Sequence, residues 1–290
     1  MITLYNPVFL DYKSKESVDL MVFIKEKNIK MVYWDLGGTL VDIPEKIKQK
    51  NVDEISTACN CQLDLTMYDH LFRKEWARRE TPDAQQKIKS VKTDKDELEY
   101  WKDFFRSAFS KYNIRKHSKL LEKLAKTYAN ARSFETYPFA KNILTELEKM
   151  GIRTGVISNA FRSARRILKQ EGLINKFNSA YIFLSCEYNS IKPEENIYKK
   201  AIERAGVEAK EIVFIDDRES FLGQAVNLGM NALVIRHKEH LAIPSQESYE
   251  NPATLLISIA HFVLAKPFEY IRTLFIPLTE QLLNPSTEGN

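Results

Sequence analysis

A short motif, Asp35-Leu-Gly-Gly-Thr39, follows an apolar run that has the composition of a buried strand. It places a carboxylate at the end of the strand and a glycine-bearing turn directly after it, which is where a nucleophile or a metal ligand is expected in an α/β sheet. The same motif is equally consistent with a loop whose aspartate caps a helix. Taken alone, it leaves these two interpretations open.

Polar side chains also follow three later apolar runs of the same kind. They are Ser158-Asn159, Lys192-Pro193 and Asp216-Asp217. Because parallel strands present their carboxyl ends at one edge of a sheet, we expect three carboxylates, a hydroxyl and an amine to meet there. Ser158 alone is nearly as well explained as a helix N-cap, and Lys192 alone as a surface lysine. Their shared location is therefore what indicates a site.

The residue types at this edge suit phosphoryl transfer, which needs an aligned nucleophile, a hard cation and donors for the phosphoryl oxygens. Asp35, Asp216 and Asp217 suit Mg²⁺, which binds carboxylate oxygens and retains several waters. Three acids crowded together without a cation would repel one another, which favours a bound metal. Lys192 would hold the nucleophile and the phosphate by its fixed positive charge. The Ser158 hydroxyl and neighbouring backbone amides would donate hydrogen bonds to the phosphate.

The elements that must position these residues are visible as apolar runs rich in β-branched and aromatic residues. Such runs predict strands buried on both faces at Met31–Trp34, Thr154–Ile157, Ala180–Leu184, Ile212–Ile215 and Ala232–Ile235. Helical patterns, each followed by a glycine, lie between them at Lys141–Met150, Arg162–Gln170 and Glu195–Ala205. This alternation predicts an α/β fold with a doubly wound parallel sheet over residues 31–43 and 135–235.

Residues 44–134 break the alternation, because they are charged, aromatic and helical in period. Their apolar face would be formed by Trp76, Trp101, Phe104 and Phe105. They predict a helical module inserted after the first strand.

Two extensions flank these parts. Residues 1–30 form an N-terminal extension with a helix expected around Ser17–Lys27, and residues 236–290 form a C-terminal extension with a terminal helix expected over Ala253–Ala265. We expect both extensions to cover the core, with a surface for a partner or a membrane interface as the less favoured interpretation.

Composition restricts the functional class. The chain has 290 residues and a net charge of +4, from 43 basic and 39 acidic residues, so no large basic field for nucleic acid is expected. Three irregularly spaced cysteines argue against a secreted disulfide framework. The first residues lack a secretory pattern, and the longest apolar stretch is shorter than the roughly 20 residues of a bilayer span. We therefore expect a cytoplasmic protein; its oligomeric state is not indicated.

The four polar motifs occur in an order that resembles the haloacid dehalogenase-like (HAD) hydrolase superfamily. They are Asp35-Leu-Gly-Gly-Thr39, Val156-Ile-Ser158-Asn159, Lys192-Pro193-Glu194 and Phe214-Ile-Asp216-Asp217. The resemblance implies a Rossmann-like core, and residues 44–134 resemble the family's α-helical cap. It also implies that Asp35 attacks phosphorus to form an aspartyl-phosphate, that Ser158 and Lys192 bind the phosphate, and that Mg²⁺ is held by Asp35, by Asp216 or Asp217 and by the main-chain carbonyl of Gly37.

The sequence departs from that family pattern at three positions. Gly37 replaces a second aspartate that usually serves as general acid and base, a contribution worth about 10²–10⁴-fold in rate. Phe221 stands where relatives often carry an asparagine or aspartate that supports the metal or the lysine. Asn189 stands where glycine is common before the lysine, a mild change because asparagine tolerates left-handed backbone.

These observations support a Mg²⁺-dependent phosphatase, a phosphoric monoester hydrolase acting on a small phosphorylated metabolite. The alternative is a catalytically weakened or inactive HAD-like protein that binds a ligand or partner, because Gly37 lacks the acid. Dehalogenation uses the same nucleophile on carbon without Mg²⁺, so the paired aspartates disfavour it. The candidate site residues are Asp35 and Lys192 for catalysis, Ser158, Asn159 and Gly38 for substrate binding, and Asp35, Gly37, Asp216 and Asp217 for the metal.

Overall fold

The computed structural model describes residues 7–8, 16–78, 81–111, 114 and 117–235. The helix expected over Ala253–Ala265, with the rest of the C-terminal extension, lies outside these residues. So does the Trp76 side chain, which was expected on the apolar face of the inserted module. Within the described ranges, no helix is long and apolar enough to cross a membrane.

The strands of the described chain form one large sheet and one small ribbon. Their bounds are β1 Pro7–Val8, β2 Met31–Trp34, β3 Val41–Asp42, β4 Glu135–Thr136, β5 Arg153–Ser158, β6 Ile182–Leu184, β7 Ile212–Asp216 and β8 Asn231–Ile235. The large sheet is parallel, in the order β1-β8-β7-β2-β5-β6, and β3 pairs with β4 antiparallel. From β2 the chain builds first one side of the sheet and then the other, which confirms the predicted doubly wound topology.

The short strands β3 and β4 were not predicted, and β5, β7 and β8 are each one or two residues longer than the predicted runs. Strands β6 and β1 differ more. The strand expected from Ala180 begins only at Ile182, because residues 179–181 form a 3₁₀ turn. The Asn178 side chain accepts a hydrogen bond from the Ala180 amide at 2.9 Å and so stabilises this turn. The strand Pro7–Val8 pairs with β8 at the sheet edge and was not predicted, because two residues carry no periodic signal.

The helices alternate with the core strands and also fill the segment between β3 and β4. Their bounds are α1 Glu16–Glu26, α2 Glu45–Cys59, α3 Leu65–Arg78, α4 Pro82–Ser90, α5 Asp94–Lys111, α6 Ser118–Ala129, α7 Ala140–Lys149, α8 Ser163–Gln170, α9 Ser185–Tyr188, α10 Glu195–Ala205 and α11 Glu219–Asn227. Helix α10 ends at Gly206, whose φ of 63° is the left-handed conformation expected at a glycine C-cap.

The sheet is buried on both faces. Val32 and Trp34 belong to one apolar cluster, while Met31 and Tyr33 belong to another. Successive side chains of a strand point to opposite faces, so this alternation shows that helices cover β2 on both sides. The central strand is therefore packed on both faces up to Trp34, the residue before Asp35.

Helices α2 to α6 enclose an apolar cluster of their own. Trp101, Phe104 and Phe105 are buried in it, and their rings contact Phe72 and Tyr128. The aromatic spacing on α5 therefore serves the packing of these helices, which we call the cap. Cys59 and Cys61 are both partly buried against the same cluster. Within the part of the chain that the structure describes, neither of them forms a disulfide, and nor does Cys186.

Gly155 in β5 lies where no side chain fits. A Cβ at this position would be 2.5 Å from the Tyr181 carbonyl oxygen and 2.6 Å from Cε1 of Tyr33, a buried ring fixed by its bond to the Ala201 carbonyl. We expect Gly155→Ala to lower the free energy of unfolding by about 1–3 kcal/mol, as measured by urea denaturation. Gly37→Ala is the matched control, because a Cβ there meets nothing within 4 Å. Equal losses in the two variants would contradict the steric explanation.

Candidate active site

Two neighbouring strands place the first two carboxylates of the site. Trp34 of β2 pairs in register with Ile215 of β7, so Asp35 and Asp216 are adjacent at the carboxyl edge. The Asp35 amide donates a hydrogen bond to the Ile215 carbonyl at 2.8 Å, which extends the pairing by one residue. Both carboxylates are buried, with Asp35 6% and Asp216 0% exposed. The strand register thus fixes their relative position.

Asp217 completes a cluster of three acids. Single carboxylate oxygens of Asp35, Asp216 and Asp217 lie within 4.8 Å of one another. Burial raises the pKa of Asp216 to about 6; the Asp35 charge adds to the rise, and Lys192 opposes it. Burial, together with the charges of Asp216 and Asp35, also raises the pKa of Asp217 well above its ordinary value. In the absence of a further cation, this cluster holds negative charge at a cost.

Lys192 is the cation that bridges two of these acids. Its side chain is 1% exposed, and Nζ donates hydrogen bonds to Asp35 Oδ1 and Asp216 Oδ2, each at 2.6 Å. Burial lowers the pKa of Lys192, but Asp216 and Asp35 outweigh it, so the net shift is upward. The ammonium therefore stays charged. The rings of Phe214 and Phe221 also face it, with centroids 5.2 and 4.9 Å from Nζ.

Ser158 is the last residue of β5, and Asn159 follows it. Ser158 is 3% exposed and lies two residues beyond Val156, which pairs with Trp34. The Asn159 side chain binds the Lys192 main chain twice: Oδ1 accepts from the amide at 2.7 Å, and Nδ2 donates to the carbonyl at 2.9 Å. Asn159 thus fixes the loop that presents the lysine. Its expected role in substrate binding, like that of Ser158, stays a prediction.

The turn after Asp35 holds Asp217 in place. Asp217 donates its amide hydrogen bond to Thr39 Oγ1 at 3.2 Å, and that hydroxyl lies 3.4 Å from Asp217 Oδ1. Gly38 has a φ of 81°, and a Cβ there would lie 2.8 Å from Asp217 Oδ2. Gly38 is therefore needed for the approach of Asp217, while Gly37 is exposed and has free space beside it. Sequence reasoning did not single out Thr39, although it stands in the first motif.

The cap contacts the loops that carry the site. Tyr100 and Trp101 pack their rings on Phe161, just beyond Asn159, at centroid distances of 4.8 and 5.9 Å. The Asn189 backbone, with φ 51°, adopts the left-handed conformation expected for it.

Two cap lysines bind the loop that carries Lys192. Lys89 pairs with Glu194, whose other carboxylate oxygen accepts from the Ile191 amide at 3.2 Å. Lys92 lies 3.4 Å from both the Asn189 side-chain oxygen and the Cys186 carbonyl. The position of this loop is therefore coupled to that of the cap.

Glu97 of the cap is buried against helix α8, a contact that local sequence patterns could not reveal. It is 1% exposed, accepts the Ser163 amide at 3.2 Å and also accepts the Ser163 hydroxyl. Burial raises the pKa of Glu97 above its ordinary value of 4.5, although the bonds from Ser163 partly offset the shift.

This raised pKa predicts how stability depends on pH. Between the pKa of Glu97 in the unfolded chain and its higher pKa in the folded protein, the folded state binds more protons. As pH rises through this window, Glu97 therefore lowers the free energy of unfolding. We expect the free energy of unfolding of Glu97→Gln, relative to that of wild type, to be higher at about pH 8 than at about pH 4. Urea denaturation at both pH values measures it. The same difference at both pH values would show that Glu97 does not titrate in this window.

The acid cluster fits a hard divalent cation. Its ligands are all oxygens, which Mg²⁺ prefers, and the raised pKa values of Asp216 and Asp217 show that added positive charge would stabilise their ionised forms. Asp35, Asp216 and Asp217 are the side chains that could hold it. The exposed main chain at Gly37 lies in the same turn as Asp35.

Comparisons with known proteins agree with this fold. A family model described as haloacid dehalogenase-like hydrolase matches residues 29–220. The chain is 23% identical to haloacid dehalogenase-like hydrolase domain-containing protein 3 of Danio rerio, over 80% of this chain and 97% of that protein. L-2-haloacid dehalogenase from Xanthobacter autotrophicus has a similar structure, with a TM-score of 0.56, 19% identity, and coverage of 80% of this chain and 88% of that one.

Proposed function

Because the chain belongs to the haloacid dehalogenase-like hydrolase family, we propose that it is a Mg²⁺-dependent phosphatase that hydrolyses a small phosphorylated metabolite through an aspartyl-phosphate intermediate. The observation that carries the proposal is the bridge from Lys192 Nζ to Asp35 and Asp216, with Asp217 in the same cluster. It sets a carboxylate nucleophile beside a fixed cation and beside oxygens that suit a divalent metal.

The reaction proceeds in two displacements at phosphorus. A carboxylate oxygen of Asp35 attacks, forms the acyl phosphate bond and releases the substrate alcohol as the P–O bond breaks. Lys192 and the Ser158 hydroxyl bind the phosphoryl oxygens. Water then attacks the same phosphorus and frees the Asp35 carboxylate and inorganic phosphate. Asp35, Asp216, Asp217 and the Gly37 carbonyl would hold Mg²⁺, which would neutralise charge on the phosphate.

The proton for the leaving alcohol must come from a group other than residue 37. Gly37 is exposed, so solvent water can reach this side of Asp35. We therefore propose that water or the substrate itself delivers the proton, at a lower rate than a positioned carboxylic acid would give.

Two other readings of the site differ in what they require of it. A catalytically inactive binding protein is favoured by Gly37, but it leaves the buried bridge of Asp35, Lys192 and Asp216 without a task. Dehalogenation, which attacks carbon, gives the paired acids Asp216 and Asp217 no charge to balance. A phosphatase gives a role to all four of these side chains: the Asp35 nucleophile, the Lys192 cation and the metal-binding acids at positions 216 and 217. We also propose a cytoplasmic location, supported by cysteines 59, 61 and 186, which are thiols and not disulfides.

Phosphate release from p-nitrophenyl phosphate and from a panel of sugar phosphates, nucleotides and phospho-acids tests the proposal. We expect turnover with Mg²⁺, loss of turnover with EDTA and recovery when Mg²⁺ is restored. Chloride release from 2-chloropropionate is the control, and we expect none. Folded protein that binds Mg²⁺ but turns over no member of the panel would favour the binding protein, and metal-independent chloride release would favour the dehalogenase.

A further inference from the structure

The contacts of the Lys192 ammonium determine which of its N–H donors can reach a substrate. It has three N–H donors, and two of them bind Asp35 and Asp216. If the phosphatase proposed above is correct, the third must stay available for a phosphoryl oxygen. A further hydrogen-bond acceptor beside Nζ would fix the ammonium but would occupy that donor.

The aromatic ring of Phe221 meets this requirement. Its centroid lies 4.9 Å from Lys192 Nζ, within the distance over which a cation is attracted to the negative face of a ring. The attraction is strongest where water is excluded, and here both partners are buried, at 1% exposure for Lys192 and 6% for Phe221. A carboxylate or amide oxygen would accept a hydrogen bond from one of the three N–H donors. A ring attracts the ammonium through its charge and does not need one of these donors.

The fold holds this ring firmly. Phe221 lies in the first turn of α11, and its carbonyl accepts a hydrogen bond from the buried Tyr198 hydroxyl at 2.6 Å. Tyr198 in turn packs on Phe214, whose centroid is 5.2 Å from the same ammonium. The Arg218 guanidinium also lies over the Phe221 ring, 4.8 Å from its centroid. The ring is therefore placed by contacts that do not depend on a bound substrate.

We propose that Phe221 is a positioning residue for the catalytic ammonium: its ring holds Lys192 Nζ by a cation–π contact and leaves one N–H free for the phosphoryl group. From the sequence, the departure from the family pattern at this position predicts a loss of support for the metal or the lysine. For the lysine, it is then a change in the kind of support. Phe214, in strand β7, makes a second cation–π contact with the same ammonium.

Fluorinated phenylalanines test the proposal, because fluorine withdraws charge from the ring face and changes its shape little. Mono-, di- and trifluorinated residues are placed at position 221 of the full chain. We expect the ¹H–¹⁵N signal of the Lys192 ammonium to shift, and its proton exchange to quicken, in step with fluorination. We also expect kcat/KM for p-nitrophenyl phosphate to fall by about tenfold over the series, while Tm is unchanged.

The same series at Phe109, which is buried in the cap cluster, is the control and should leave the Lys192 signal unchanged. In an Arg218→Met background the dependence at position 221 should persist, which separates Lys192 from the other cation on the ring. An ammonium signal and a kcat/KM that do not vary with fluorination would overturn the proposal. The signal needs no turnover, so a graded signal in an inactive protein would support the contact while the proposed phosphatase failed.

Discussion

Replacing Gly37 by aspartate is expected to raise the rate of phosphate release by about 10²–10⁴-fold, the usual contribution of a positioned general acid and base. The position has room, since a Cβ there meets nothing within 4 Å, and it is exposed. It also lies two residues beyond Asp35, in the same turn. The measurement is kcat with Mg²⁺ for two substrates, p-nitrophenyl phosphate and an alkyl phosphate. The gain should be larger for the alkyl phosphate, because an alkyl alcohol is the poorer leaving group and depends more on protonation.

Two variants control for the effects of bulk and of the turn. Gly37→Asn has nearly the same shape as Gly37→Asp but carries no transferable proton, so it should give no gain. Gly38→Ala should lose activity, because its Cβ would lie 2.8 Å from Asp217 Oδ2 on backbone with a φ of 81°. Equal rates for Gly37→Asp and Gly37→Asn would show that the missing acid is not what limits the reaction.

Lys192→Met is expected to have the largest effect on stability. It removes the cation from between Asp35 and Asp216 and leaves two buried carboxylates facing each other. Breaking a buried ion pair from one side costs about 3–5 kcal/mol, which urea denaturation of the metal-free protein would measure. The loss should be smaller near about pH 5, where the acids can take up protons, and saturating Mg²⁺ should stabilise the variant more than wild type.

A lysine in an exposed ion pair provides the comparison. Lys123, which pairs with Glu54 at 2.8 Å, is 61% exposed, so Lys123→Met should cost less than about 1 kcal/mol. If Lys192→Met cost no more than Lys123→Met, the buried acids would have to be compensated in another way. Loss of phosphate release is expected for Lys192→Met alone.

The arrangement of the main site residues could be predicted because parallel strands end at one edge of a sheet. The apolar runs before Asp35, Ser158 and Asp216 identified those strand ends, and the register of β2 with β5 and β7 brings them together. The bond from Lys192 to Asp35 joins residues 157 positions apart. Strand topology does not account for it alone, because Lys192 lies beyond α9 on a loop that the Asn159 side chain holds.

Contacts that depend on the orientation of the cap were beyond this kind of reasoning. Glu97 meets Ser163 because helix α5 lies against the start of α8, and a periodic pattern specifies which face of a helix is apolar but not which neighbour it meets. The ring of Phe221 beneath Lys192 was missed for another reason. An aromatic residue in an apolar helix is ordinarily part of the core. Its residue type therefore does not predict that a cation lies beside the ring.

The central claim is that Asp35 forms a covalent aspartyl-phosphate, and chemical trapping tests it most directly. Wild-type protein turning over p-nitrophenyl phosphate with Mg²⁺ is quenched in acid and reduced with borohydride, which converts an acyl phosphate to the alcohol. Peptide mass spectrometry should then find homoserine at position 35, and none in Asp35→Asn or in EDTA. Continued turnover with no reduced residue at position 35, or with reduction at a different carboxylate, would contradict the account.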